Sequence, residues 1–255
     1  MRILFVNPNI TEAITTIMVE EARRSAAPTT TIVPATGRFG TFYIANRIES
    51  AIASHAVLDA IAEHAEGCDA VVISAFGDPG VAAAKELVDI PVVGVSEAAF
   101  LTAYTLGRRY SMVCMTQRLR TWYMECAEEH GLAGRMASTR ALDVPVPDIT
   151  RARETLKELL VEQCLRAVDE DGAEVIIMAG GPTAGLAREI QDRIPVPTID
   201  GVSCAVRLAE MLVGLNARPP TRGSFAKPPH KPATGLSPAL MRQITGHDAE
   251  STAKV

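Results

Sequence analysis

Ala70-Val71-Val72-Ile73-Ser74-Ala75-Phe76-Gly77-Asp78-Pro79-Gly80 is an apolar run that opens into a turn of small residues. About a hundred residues later, Glu174-Val175-Ile176-Ile177-Met178-Ala179-Gly180-Gly181-Pro182-Thr183-Ala184-Gly185 repeats the design. Each copy is followed at the same distance by a short Ile-Pro-Val strand, Ile90-Pro91-Val92 and Ile194-Pro195-Val196. A constant offset across two elements implies two related α/β halves whose strand ends face one cleft.

The rest of the chain extends the pattern. Arg2 to Val6, Thr30 to Val33, Asp69 to Ser74 and Pro91 to Val95 read as strands of the first half. Between them lie a helix after Asn9, a long helix Ala45 to Glu66 ended by Gly67, and helices Gly80 to Val88 and Glu97 to Thr105. Asn9 is placed to cap the first helix, with Glu12 in the capping-box position and Ile10, Ile14 and Ile17 on the apolar face. In the second half Tyr110 to Met115, Met136 to Leu142, Glu174 to Met178 and Val196 to Ile199 read as strands. Helices are expected over Gln117 to His130, Arg151 to Glu170, Ala184 to Arg193 and Val202 to Leu215. In the helix Arg151 to Glu170, Leu156, Leu159, Leu160, Cys164, Leu165 and Val168 share one face. Apolar strands alternating with helices mean parallel sheets covered on both sides. The reading is two pseudo-symmetric, doubly wound parallel-sheet domains with the active-site cleft between them. The first spans residues 1–105, completed by the helix near 201–215, and the second spans 106–200. From residue 216 to 255 the chain turns basic and proline-rich, and Pro219, Pro220, Pro228, Pro229, Pro232 and Pro238 are expected to break regular structure there.

The 255 residues, 47% hydrophobic and 22% charged, suit a compact soluble chain, and the net charge of −5 argues against a general nucleic-acid surface. No run is long enough to span a bilayer, and Ile3 to Val6 is too short for a signal peptide, so a cytoplasmic location is expected. Cys68, Cys114, Cys126, Cys164 and Cys204 show neither CxxC nor zinc spacing and read as reduced thiols.

Four stretches, Val6-Asn7-Pro8-Asn9, Ile73 to Gly80, Pro91 to Ala99 and Ile199-Asp200-Gly201-Val202, occur in an order that resembles the aspartate/glutamate/hydantoin racemase superfamily, nearest its hydantoin and allantoin racemase branch. The resemblance covers about residues 1–225. It implies an active site between two α/β domains and no metal or organic cofactor. It also implies a small anionic or cyclic-amide substrate and, with such a fold, a homo-oligomer (dimer or higher). In that superfamily two cysteines face each other across the substrate carbon, one thiolate removing the α-proton and the other thiol delivering one to the opposite face. The position of the first is Ala75 here, and the second falls on Gly180. Neither side chain moves a proton.

What remains at the strand ends is suited to holding an anion. The turns Ser74, Ala75, Phe76, Gly77 and Gly180, Gly181, Pro182, Thr183 lead into helix N-termini. The resemblance adds Asn7 and the turn after Tyr110 to Val113, with Cys114 and Thr116, as substrate contacts. Asn7, Asp78 and Thr183 serve equally as caps. The run Gly180 to Gly185 lacks the Lys-Ser/Thr pair and the spacing of a nucleotide loop. Cys114, at a strand end near two helix N-termini, and Ser74 are the side chains left for catalysis; a lowered thiol pKa is expected if Cys114 acts. Tyr43 and Arg47 lie in a segment with aromatics between glycines and a helix start, read as a lid whose arginine clamps a carboxylate. His55 and His64 fall on a polar helix face, His130 at a helix C-terminus, and His230 and His247 in the tail. Two readings of function follow. One is a cofactor-independent enzyme acting on a small carboxylate, cyclic ureide or imide, with two-cysteine racemisation replaced by isomerase, decarboxylase or hydrolase chemistry. The other is a catalytically silent anion-binding sensor or accessory subunit. A racemase using other bases is a third.

Overall fold

Two four-stranded parallel sheets carry the chain, as a computed structural model of residues 1–143 and 157–246 describes. The first has β1 (Arg2–Asn7), β2 (Thr31–Thr36), β3 (Ala70–Ile73) and β4 (Val92–Gly94) in the order β2-β1-β3-β4. The second has β5 (Tyr110–Cys114), β6 (Met136–Ala141), β7 (Val175–Ala179) and β8 (Thr198–Asp200) in the order β6-β5-β7-β8. The helices are α1 (Glu12–Ser25), α2 (Arg47–His64), α3 (Val81–Leu87), α4 (Val95–Leu106), α5 (Gln117–Glu129), α6 (Lys157–Asp169), α7 (Leu186–Ile190), α8 (Gly201–Gly214) and α9 (Pro238–Thr245). Every residue of β3, β5 and β7 is buried, as strands covered on both faces require.

The two sheets share a register, although the constant offset of the repeat is not kept: β4 includes Val92, whereas Ile194, Pro195 and Val196 precede β8. Val6 pairs with Ile73 and Ile73 with Gly94 in the first sheet, as Val113 pairs with Met178 and Met178 with Asp200 in the second. Asn7 and Cys114 are therefore equivalent, and so are Ser74 and Ala179, and Ala75 and Gly180. α8 packs on α1 and α4 and reaches β3 and β4 as well as β7 and β8.

Local chemistry moves several boundaries. Thr11, not Asn9, is the N-cap of α1, and Glu12 is its first residue. Asn9 instead makes an Asx turn, its side-chain oxygen accepting from the Thr11 N–H at 2.9 Å. Ile10 stays exposed outside the helix, whose buried face is Ile14, Met18, Val19 and Ala22. α2 starts at Arg47 because Asn46 caps it, accepting from the Glu49 N–H. In α6 the buried face is Leu160, Val161, Cys164 and Ala167, and Leu159 is exposed. The start of the helix expected from Arg151 lies outside the described residues, as does His247. Pro238 does not break structure: it occupies the first turn of α9 behind the Ser237 cap, where its missing N–H costs nothing. No helix among the described residues is long and apolar enough to cross a membrane.

Candidate active site

The turns after β3 and β7 meet as the repeat requires. A cavity of about 20 Å³ between them is lined by Asn9, Ile14, Tyr43, Ile44, Ser74, Ala75, Phe76, Tyr123, Gly181 and Pro182. A second pocket of about 10 Å³ is bounded by Ser74, Phe76, Val95, Gly180, Gly181, Ala184 and Asp200–Val202. Each has room for about one water.

Most of the polar side chains expected to bind substrate are occupied by the protein itself. Asn7 is fully buried; its amide donates to Asn9 Oδ1 at 3.1 Å and Thr15 Oγ1 at 2.9 Å, and it accepts from the Asn9 N–H. Ser74 lines both pockets, but its hydroxyl donates to the Val6 carbonyl at 2.8 Å. Thr183 donates to the Gly180 carbonyl at 2.6 Å, closing the turn from within. Thr116 caps α5. Asp78 also caps: its carboxylate accepts from the Ser96 and Glu97 N–H groups at the start of α4. Phe76 packs edge-on against Phe100 and tilted on Tyr123. Gly77, at φ 100°, lies against the Trp122 ring, where a Cβ would come within 2.6 Å.

Cys114 does not line either pocket. It is fully buried, and its thiol donates weakly to the Thr116 and Arg140 carbonyls at 3.6 Å. Burial pushes the thiol up to about 12, the reverse of the lowering expected at a strand end. The N-termini nearby do not offset the loss of water around the sulfur. All five cysteines are buried and free, and none lines the cavity.

The group that sequence reading missed is Tyr123, on the buried face of α5 with Leu119, Cys126 and Ala127. Its hydroxyl and that of Tyr43 both lie beside Gly180. A Cβ on Gly180 would lie 3.5 Å from the Tyr123 hydroxyl and 3.8 Å from that of Tyr43. Two phenols therefore stand where a side chain at Gly180 would point. Burial, with Cys114 nearby, raises the pKa of Tyr43; burial and the Tyr43 hydroxyl raise that of Tyr123. Both are neutral at physiological pH and donate rather than accept protons. Gly180 itself adopts φ 115° and ψ 149°, a conformation essentially restricted to glycine. A side chain at Gly181 would instead press on Met18 and Ile14 of α1, with Met18 Sδ at 2.8 Å.

Tyr43 is placed at the cavity by a pinned segment. The Ile10 N–H donates to the Thr41 carbonyl, and the Thr11 hydroxyl donates to the Phe42 carbonyl. Arg47 does not reach the cavity: it is largely exposed and pairs with Glu125 of α5, tying the start of α2 to the second half. On the β8 side, Asp200 caps α8 through the Ser203 N–H and also accepts from the Ser203 hydroxyl at 2.8 Å. Burial raises its pKa. Next to it the buried Glu21 joins Arg188, Ser25 and Ser203.

The family model for Asp/Glu/hydantoin racemases matches residues 3–209. The hydantoin racemase of Paenarthrobacter aurescens is 35% identical over 233 residues, 91% of this chain and 99% of that protein. Among solved structures, allantoin racemase from Pseudomonas fluorescens matches with a TM-score of 0.88 and 37% identity, covering 92% of this chain and all of that one. Allantoin racemase from Klebsiella pneumoniae gives 0.90 and 36%, covering 94% and 98%.

Proposed function

We propose that this chain, which belongs to the Asp/Glu/hydantoin racemase family, binds a small carboxylate, cyclic ureide or imide between its two turns and acts on it without two-thiol racemisation. The observation that carries the reading is the pair of register-equivalent residues Ala75 and Gly180. Neither bears an ionisable group, and the titratable side chains nearest Gly180 are neutral phenols. Removing an α-proton needs a base whose pKa is near the working pH. A neutral buried tyrosine cannot take that proton, and it can give one up only to a carbanion or enolate more basic than its own phenolate.

A donor without a base restricts the chemistry. Proton-shift isomerisation begins with a base. Hydrolysis needs an activated nucleophile, and Ser74 spends its proton on the Val6 carbonyl. Decarboxylation needs neither. The C–C bond breaks, its electron pair moves into the adjacent carbonyl as CO₂ leaves, the resulting enolate takes one proton from a tyrosine hydroxyl, and the phenolate left behind regains its proton from solvent water. The cavity has room for about one water as it stands, so binding such a substrate requires its walls to open. The similarity to hydantoin and allantoin racemases supports a ureide-like ligand.

The test is incubation in D₂O with hydantoins, allantoin, aspartate and glutamate, beside a 5-carboxyhydantoin and a 2-substituted malonate. We expect background α-exchange for the first group and CO₂ release from a member of the second. Rapid exchange would overturn the reading, because a base would then be present. Thermal stabilisation by these compounds with no turnover of any would favour the silent binding protein instead.

A further inference from the structure

Asp78, Cys126 and His130 bring a carboxylate, a thiol and an imidazole together, with one ligand atom of each within 4.8 Å of the others. Cys126 and His130 are four residues apart at the end of α5 and so share a helix face. His130 Nε2 lies 3.0 Å from Asp78 Oδ2. Asp78 is rigid. Its backbone sits at φ 47°, the Ser96 and Glu97 N–H groups hold its two oxygens, and its carboxyl carbon lies where a Cβ on Gly94 would come within 2.4 Å. Cys126 is buried, while the His130 side chain keeps 24% of its surface exposed and gives a path from solvent.

We propose that Asp78, Cys126 and His130 form a binding site for one divalent transition-metal ion of the zinc class. The cysteine spacing alone gave no such site, because its third ligand comes from the turn after β3. Metal–oxygen and metal–nitrogen bonds of about 2.0–2.2 Å at a tetrahedral angle separate the two ligand atoms by about 3.3 Å. The Asp78–His130 pair needs to open by only a few tenths of an ångström, with the ion taking the place of the shared proton. The sulfur lies within 4.8 Å of the other two ligand atoms and moves in by up to about 1 Å to reach bonding distance. A thiolate, a carboxylate and a neutral imidazole balance the charge of a divalent ion, and a sulfur–nitrogen–oxygen set selects zinc-like ions over magnesium or calcium. No oxidation change is involved. As the sulfur–metal bond forms, the Cys126 thiol releases its proton to solvent. Three protein ligands leave a fourth position for water. Bound metal would fasten the Ser74–Gly80 turn, whose first residues line the cavity, to α5.

The full-length chain, stripped with a chelator under reducing conditions, is titrated with Co²⁺ and then Zn²⁺. The expected result is one equivalent of cobalt with tetrahedral d–d bands and a near-ultraviolet thiolate-to-metal band, all displaced by zinc. Proton release should be visible as a dependence of the binding heat on buffer. Cys126→Ser should remove the thiolate band, whereas Cys164→Ser should keep it. His130→Gln should weaken cobalt binding by about 100-fold, the upper range seen on disturbing a metal shell. A wild-type protein with no thiolate band, or a band that survives Cys126→Ser, would overturn the proposal. Unchanged affinity in a folded His130→Gln protein would do the same.

Discussion

Iodoacetamide at neutral pH should leave Cys114 of the folded protein untouched, and this single residue tests how the site is read. The attacking species is the thiolate. With the thiol pushed up to about 12 from an ordinary 9.0, the thiolate fraction at neutral pH falls about a thousandfold. Access multiplies that factor: Cys114 exposes none of its surface, and its Sγ is engaged with the Thr116 and Arg140 carbonyls. Alkylation should then follow the rate at which the second sheet opens, because β5 is its central strand between β6 and β7. The assay is a time course read by peptide mass spectrometry in native buffer, in denaturant and with the best ligand from a thermal-shift screen. Cys114 should label within minutes only in denaturant, and Cys114→Thr should leave folding and ligand binding unchanged. If the folded protein instead labels at Cys114 first, at the rate of a free thiol and with ligand protection, then the sulfur reaches the cleft. The donor-only site would be wrong, and a one-thiol enzyme would replace it.

Three further outcomes follow from the same geometry. Gly180→Ala should destabilise the fold by about 1–3 kcal/mol in urea unfolding, because the strain lies in the backbone at φ 115° while the new methyl meets the two tyrosine hydroxyls at ordinary contact distance. Tyr123→Phe should slow any turnover found while leaving ligand affinity within a few-fold, because its hydroxyl stands where a side chain at Gly180 would point. Glu21→Gln should cost about 1–2 kcal/mol at neutral pH. Burial alone would raise the Glu21 pKa, but hydrogen bonds from Arg188, Ser203 and Ser25 and the Arg188 charge outweigh it and lower it. The contribution is present above the ordinary carboxylate pKa and lost as pH falls through the lowered value, so the variant's acid unfolding should begin from a lower and flatter plateau.

The two turns were legible because each strand end announces itself: an apolar run buried on both faces stops at small residues, and the pattern recurs. Boundaries were less so. Asn9 and Thr11 are both residue types that cap helices, and the backbone decides for the later one, because the Thr11 carbonyl accepts the first helical bonds, from the Ile14 and Thr15 N–H groups. Tyr123 was hidden by a different ambiguity. On α5 it belongs to an apolar stripe, and the sequence does not reveal that its hydroxyl end meets Tyr43 from a segment some 80 residues away. A buried tyrosine on an amphipathic face still needs a hydrogen-bond partner, and that requirement was the available signal. Arg47 misled in the opposite direction: an arginine near a cleft suggested a carboxylate clamp, while Glu125 on α5 supplies a carboxylate from within the protein.

The two halves of the site depart from thiol chemistry in different ways. At Ala75 the chain keeps a Cβ and an ordinary backbone, so the position differs from a cysteine only by one sulfur. At Gly180 the backbone itself has moved into glycine-only territory, and phenols from α5 and from the segment before α2 face the space a side chain would enter. Ala75→Cys is therefore a cheap change, while Gly180→Cys carries the strain of φ 115° and pushes its sulfur toward the Tyr123 and Tyr43 hydroxyls.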